Sequence, residues 1–311
     1  MVRRLTPDRQ ILKAQAIVLR KMGWTQQHIA DQISIPRTTI RDWFGDNGMP
    51  AIIAKKHRKG DNAKLDILAK PTFLSWCGRL EDFTPTEDIK FDLIIADPPW
   101  NVSRPNEIKR RAGKPVKKNF GMWDFFNTED DYLRDINKWL QRLFELSQNP
   151  SWCWFWCSYR YLSYIATLAE TIGWEVHNWY VWGKPNPAPL MGANNFLQAI
   201  EPVLILRRGN ARLRFDNGHL PNHHLLPLVS TRDRIKDIDG NVINLAQKPV
   251  TLLSLIVIWC SEPGQWVLDA FAGSGSASVS ALKGNRNCYA VELDQSQLTI
   301  IQGRLQKEGL I

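Results

Sequence analysis

Apolar and polar positions fall into blocks along the chain, and the character of the blocks changes near residue 70. Before it, ILKAQAIVL over 11–19 sets apolar residues at helical spacing, Gly23 interrupts the pattern, and GWTQQHIADQISIPRTTIRDWF follows over 23–44. In that segment Thr25 caps a short helix that turns Ile29 and Ala30 inward, and SIP over 34–36 makes a tight turn. A second helix starts near Pro36, with Ile40 and Trp43 inward and Arg37, Thr38 and Arg41 outward.

Beyond residue 70 short apolar runs alternate with longer helical patterns. Strands are expected near 72–76, 91–96, 151–157, 177–182, 203–207, 266–270 and 288–292, and amphipathic helices near 130–147, 159–172, 249–261, 276–283 and 294–307. Seven strands with interleaved helices predict an α/β fold, a doubly wound, mostly parallel, Rossmann-like sheet, preceded by a small all-helical module. The helix pair resembles a helix-turn-helix, whose second helix enters the DNA major groove. A hairpin used only for packing would not need that basic face. The expected division is therefore 1–48 for the helical module, 49–69 for a basic linker and 70–311 for the α/β domain.

Charge sharpens this division. The net charge is +9, yet residues 1–60 alone hold twelve Lys/Arg against four Asp, so the amino-terminal end carries nearly all of the excess and points to a polyanionic partner. A second basic cluster, seven Lys/Arg against one Glu from Arg104 to Lys118, follows the strand at 91–96. The five cysteines form no C-x-x-C pair, and four of them follow Trp within apolar runs, which predicts reduced core residues and no metal site. The opening MVRRLTPDRQ lacks a signal-peptide core, and VTLLSLIVIW over 250–259 is about half a membrane span. A cytoplasmic, and in a prokaryote nucleoid-associated, protein is expected.

Two segments carry chemistry. FDLIIADPPW over 91–100 ends a core strand on an acid, two prolines and a tryptophan. In a doubly wound sheet ligands bind beyond the carboxyl ends of strands, so Asp97, Pro98, Pro99 and Trp100 should project into a site. A strand-terminating turn with a structural tryptophan is the alternative. WVLDAFAGSGSASVSAL over 266–282 sets a strand, a turn containing Gly273 and Gly275, and a helix in sequence, and the following strand ends at Glu292. Such glycines let backbone amides approach a cofactor, and the acid can bind a ribose. A dinucleotide site would want a third glycine at position 278, which is Ser278.

DPPW, then QKP over 247–249, then FAGSGS over 271–276, then Glu292, resembles in content and order the β group of DNA amino-methyltransferases over about residues 70–311. The resemblance implies a circularly permuted methyltransferase sheet, S-adenosylmethionine as cofactor, and transfer of its methyl to the N6 amine of an adenine flipped out of double-stranded DNA. It assigns catalysis to Asp97, Pro98, Pro99 and Trp100. Asp97 and the Pro98 carbonyl would accept the amine hydrogens while Trp100 stacks on the base. It assigns Asp269, Phe271, Ala272, Gly273, Ser274, Gly275, Glu292 and Asp294 to the cofactor, with Gln247, Lys248 and Pro249 toward its carboxylate and Cys77 and Gly78 toward its adenine. Lys248 as a bare helix cap and Asp294 as the cap of the last helix are the plainer readings.

Adjoining such a base site, the basic loop with Lys109, Arg110, Arg111, Lys114, Lys117 and Lys118 reads as a DNA phosphate clamp, a merely solvated loop being the alternative, and the resemblance places Asn186, in KPNPAP over 184–189, near the target base. It puts target recognition at about 208–246, where His219, His223 and His224 read as solvated or DNA-facing, and it implies a homodimer as an available state. Trp100 stands where most of the family has Tyr, and tryptophan also occurs there in related RNA adenine methyltransferases. Cytosine-N4 enzymes more often have Ser at position 97. Cytosine-N4 transfer, an RNA adenine substrate and an inactive DNA-binding regulator are thus the alternatives.

Overall fold

The computed structural model describes residues 70–102, 122–188, 196–215, 219–230, 232–236, 240, 242 and 246–311, together with 35–44 and Lys13, Ala16, Arg20, Gln26, Ile29 and Ala30. Near the start, Pro36 precedes helix α1 (Arg37–Phe44). Its Ile40, Trp43 and Phe44 pack with Ala16, Ile29 and Ala30, while Arg37, Thr38 and Arg41 face solvent. The linker expected over 49–69 and the basic cluster at 104–118 lie outside the described residues.

The larger part is one eight-stranded sheet. Its strands are β1 (Phe73–Cys77), β2 (Phe91–Ala96), β3 (Ser147–Trp156), β4 (Glu175–Gly183), β5 (Ile200–Arg208), β6 (His223–Leu225), β7 (Trp266–Asp269) and β8 (Asn287–Glu292), in the order β1-β8-β7-β2-β3-β5-β4-β6. β1, β8, β7, β2 and β3 run parallel, and β5 lies antiparallel to both β3 and β4. The sequence pattern predicts seven of these strands. β6 is the eighth, a three-residue edge strand of sequence HHL paired with β4, too short and too polar for periodicity to reveal.

The strand period of two divides the core into two layers. Leu93 and Ile95, with Trp152, Trp154 and Trp156, face α4 (Val250–Cys260), α5 (Ser276–Lys283) and α6 (Gln295–Lys307). Ile94 and Ala96, with Cys153 and Phe155, face α2 (Glu129–Leu146) and α3 (Leu162–Ile172). α2 opens with a capping box, in which Thr128 Oγ1 accepts from the Asp131 amide at 3.0 Å and Asp131 returns a bond to Thr128, and it buries Tyr132, Ile136, Trp139, Leu140 and Leu143 on one stripe. α4 departs from expectation. It is not amphipathic, because nine of its eleven residues are buried between sheet and neighbouring helices.

The cysteines also depart at one position. Cys153, Cys157, Cys260 and Cys288 are buried free thiols, but Cys77 is exposed at the end of β1, where its Sγ approaches the Leu293 carbonyl at 3.7 Å. Among the described residues no group of His, Cys, Asp and Glu is placed to hold a metal ion, and no helix is long and apolar enough to cross a membrane.

Candidate active site

β2 and β7 are neighbours in register, Ile95 opposite Asp269, and the Ala270 amide donates to the Ile95 carbonyl at 3.0 Å. Their carboxyl ends therefore lie side by side, and DPPW and AFAGSG leave the sheet at one point although more than 170 residues separate them. Between them opens a cavity of about 520 Å³, within the range of roughly 300–1,000 Å³ usual for small-molecule sites. Asp97, Pro98, Pro99 and Trp100 line it together with Gly78, Phe271, Gly273, Glu292 and Asp294. A smaller cavity of about 40 Å³ adjoins, lined by Asp97, Gln247, Lys248, Asp269, Ala272, Gly273 and Ser274 among others.

The turn after Pro99 is fixed from outside the motif. The carboxylate of Asp124, a buried residue, accepts the backbone amides of Trp100 at 2.7 Å, Asn101 at 2.8 Å and Val102 at 3.1 Å, and Asn101 adopts φ 55°. Three converging amides form a small anion nest that sets the Trp100 backbone. The half-buried Trp100 indole donates from Nε1 to Asp97 Oδ1 at 3.2 Å.

Asp97 also pairs with Lys248, whose ammonium donates to Oδ2. Burial pushes the Asp97 carboxyl above its ordinary range; Lys248 opposes this, and Glu201 on β5 adds to it. Burial pushes Lys248 down, but Asp97 and Glu201 together hold it above the ordinary lysine value. Glu201 lines the larger cavity and was not anticipated from sequence, nor was Asp124. An acid within the apolar run IEPVLIL over 200–206 was the available signal for Glu201.

The glycine turn is held by two acids. Glu292 Oε2 accepts the Gly273 amide at 2.7 Å, and its Oε1 accepts the Asp294 amide at 3.2 Å. Asp269 Oδ2 accepts both the amide and the hydroxyl of Ser278, at 2.9 and 2.7 Å, and burial raises its pKa to about 7. Ser278 thus stands where a third glycine would be and uses its hydroxyl to anchor the turn. Asp294 lines the larger cavity and also caps α6 through the Ser296 amide at 2.8 Å, so both readings of it hold geometrically.

Other expected site residues sit elsewhere. Gly275 lies behind the turn against Ile301, and Pro249 is the residue preceding α4. Cys77 lines neither of the two cavities, although Gly78 beside it does and donates its amide to the Glu292 carbonyl at 2.9 Å. Asn186 is exposed, lines neither of them, and accepts the Leu228 amide at 2.8 Å. Gln247, by contrast, lines the smaller cavity and accepts the Ile235 amide through Oε1 at 2.9 Å. Lys109, Arg110, Arg111, Lys114, Lys117 and Lys118 lie outside the described residues. Of the three histidines, His224 is not solvated: it is buried with Nδ1 2.7 Å from the Tyr180 hydroxyl, and burial lowers its pKa to about 4.

A mostly parallel sheet, a glycine turn closed by an acid on the next strand, and an acidic proline turn over the same cavity define an S-adenosylmethionine-dependent methyltransferase class of fold and site. Residues 91–303 match the N6/N4 methyltransferase family of DNA methylases. The chain belongs to this family of S-adenosylmethionine-dependent DNA amino-methyltransferases, and S-adenosylmethionine is its cofactor.

Among relatives, it is 27% identical over 234 residues to the type II methyltransferase M.HinfI of Haemophilus influenzae, spanning 72% of this chain and 64%, just under two thirds, of that protein. It is 26% identical over 228 residues to the type II methyltransferase M2.DpnII of Streptococcus pneumoniae, spanning 70% of this chain and 83% of that one. The fold is shared with the M1.HpyAVI–SAM complex, at a TM-score of 0.56 and 20% identity over 75% of this chain and all of that one. It is shared also with the cytosine-N4-specific PvuII DNA methyltransferase, at a TM-score of 0.56 and 14% identity over 76% of this chain and 88% of that one.

Proposed function

We propose that this protein methylates the N6 amine of adenine in double-stranded DNA, with the target base turned out of the helix. The observation that carries the reading is the position of Asp97. Its carboxylate stands at the wall of the same cavity that Phe271, Gly273 and Glu292 line, beside the Trp100 indole.

The residues fit the cofactor. Gln297 Oε1 is buried, without a hydrogen-bond partner among the described residues, and Gln297 lines the cavity that Glu292 and Asp294 also line. An acceptor left open there suits a polar ligand. Glu292, Asp294, Gly78 and Phe271 would hold the nucleoside part, with Gly273 and Ser274 toward the remainder. S-adenosylmethionine supplies an electrophilic methyl group on a sulfonium.

The remaining work belongs to the chain. An exocyclic amine is a poor nucleophile because its lone pair is delocalised into the ring. Asp97 and the Pro98 carbonyl accept its two hydrogens and favour a more tetrahedral nitrogen, whose lone pair is then free. A carboxylate has about four lone-pair positions, so the bonds from Trp100 and Lys248 leave capacity on both oxygens. The proline ring supplies no amide to compete for the carboxylate. Trp100 offers an aromatic face, worth about 1–3 kcal/mol per stacked base, which offsets part of the cost of extrusion. Direct transfer needs no covalent enzyme intermediate, and the buried thiols are held protonated by their surroundings, Cys157 and Cys260 at about 12.

The acid at position 97 favours adenine over cytosine. Residues 1–48, with Arg37, Thr38 and Arg41 presented on α1, form a helix-turn-helix that holds DNA, residues 49–69 are a basic linker, and 70–311 form the methyltransferase domain with target recognition at about 208–246. Expression in a methylation-free host followed by single-molecule sequencing tests the reading. Modified adenines at a fixed motif are expected, and N4-methylcytosine in their place would assign the other amine.

A further inference from the structure

The site contains a buried row of four charges. Lys184 Nζ lies 2.7 Å from Glu201 Oε1, Glu201 Oε2 lies 3.5 Å from Lys248 Nζ, and Lys248 donates to Asp97. Lys184 and Lys248 side chains are each 8% exposed, Glu201 14% and Asp97, at the cavity wall, 25%, so water does little to balance the first three and their charges are set by their neighbours. The row crosses elements: Lys184 follows β4, Glu201 is on β5, Lys248 precedes α4 and Asp97 follows β2.

Lys248 poses a difficulty for the proposed chemistry. A lysine paired with Asp97 alone would satisfy the carboxylate and weaken it as an acceptor for the target amine. Glu201 Oε2, 3.5 Å away and outside hydrogen-bond geometry, gives the ammonium a second, more distant acid. The Lys248 ammonium also lies 5.5 Å from the Trp100 ring centroid and 6.0 Å from that of Trp156, which confines it laterally. Lys184, itself 5.2 Å from the Trp182 ring, keeps Glu201 from taking Lys248 entirely.

We propose that Glu201, acting through Lys248 and restrained by Lys184, is a positioning residue that keeps Lys248 from binding Asp97 alone and so leaves the Asp97 carboxylate aimed at the target amine with acceptor capacity to spare. This rests on the amino-methyltransferase reading. The groups that bear on Asp97 are Lys248 and Glu201, with Asp269 on the neighbouring strand β7 and Lys184 behind Glu201.

Two near-isosteric variants move the row in opposite directions. Glu201→Gln removes a negative charge near Asp97 and leaves Lys248 to it. The Asp97 carboxyl should titrate lower, the acid limb of the kcat–pH profile should move to lower pH, and plateau kcat should fall about tenfold to a hundredfold, with KM for DNA little changed. Lys184→Gln frees Glu201 to draw Lys248 away, so the same limb should move to higher pH. The Asp97 titration is read independently by carboxyl carbon-13 NMR of DNA-free protein, assigned with Asp97→Asn. Opposite shifts in both readouts support the proposal. Shifts of the same sign, or no shift in folded variants, overturn it. A wild type that transfers no methyl while the NMR titration still moves oppositely in the two variants overturns the functional reading and leaves the coupling standing.

Discussion

Asp124 follows Trp100 by 24 residues and accepts its backbone amide at 2.7 Å, with the Asn101 and Val102 amides on the same carboxylate. The backbone of this tryptophan is therefore held by an acid beyond the basic cluster. Asp124→Ala leaves three amides without their acceptor and should cost about 2–3 kcal/mol of stability. It should also reduce methyl transfer more than cofactor affinity, because the displaced turn belongs to the base side of the cavity. Asp124→Asn, which keeps one acceptor oxygen, should fall between. Urea denaturation and cofactor titration by calorimetry measure the two effects.

The glycine turn is closed from behind. Gly275 has φ +73°, and a Cβ there would stand 2.8 Å from Ile301 Cγ2. Gly275→Ala should lose about 2–3 kcal/mol through left-handed backbone strain and overpacking, and weaken cofactor binding as the turn shifts. Adding Ile301→Ala relieves the clash but not the backbone strain. The pair should thus show a favourable coupling in a double-mutant cycle, measured by chemical denaturation.

Asp269 makes stability depend on pH. Its carboxyl, held up at about 7 by burial, lies well above the ordinary value near 4. Between those values the folded state retains a proton that the unfolded state has lost. The associated stability is full below about pH 4 and is lost as pH rises through about 7. Asp269→Asn keeps an acceptor for Ser278 and removes this titration. Wild type should lose stability relative to the variant from pH 5 to pH 8, read as the difference in their denaturation midpoints. Parallel curves would contradict it. Taking the difference removes Asp92, whose carboxyl burial also raises, and leaves of Asp97 and Glu292, which repel Asp269 directly, only the change in that coupling.

Much of this was legible from sequence because it is local. DPPW and FAGSGS announce strand ends, since prolines and glycines restrict the backbone wherever they stand, and the strands at 91–96 and 288–292 emerge where their apolar runs predict them. What stayed hidden depends on partners distant in the chain. Asp124, Glu201 and Lys184 acquire their roles only when β5, the turn after β2 and the start of α4 converge. His224 reads as polar in HHL, yet β6 pairs beside β4 and turns it onto Tyr180. Lys248, expected to meet a ligand carboxylate, lines both cavities and also lies between two carboxylates of the chain itself.

The most direct measurement is mass spectrometry of nucleosides from unmethylated DNA incubated with S-adenosylmethionine and the purified protein, wild type beside Asp97→Ala. The account predicts N6-methyladenine with the wild type and none with the variant, while calorimetry shows the variant still binding cofactor. Methylation by Asp97→Ala at a rate near wild type, or N4-methylcytosine as the sole product, would contradict it.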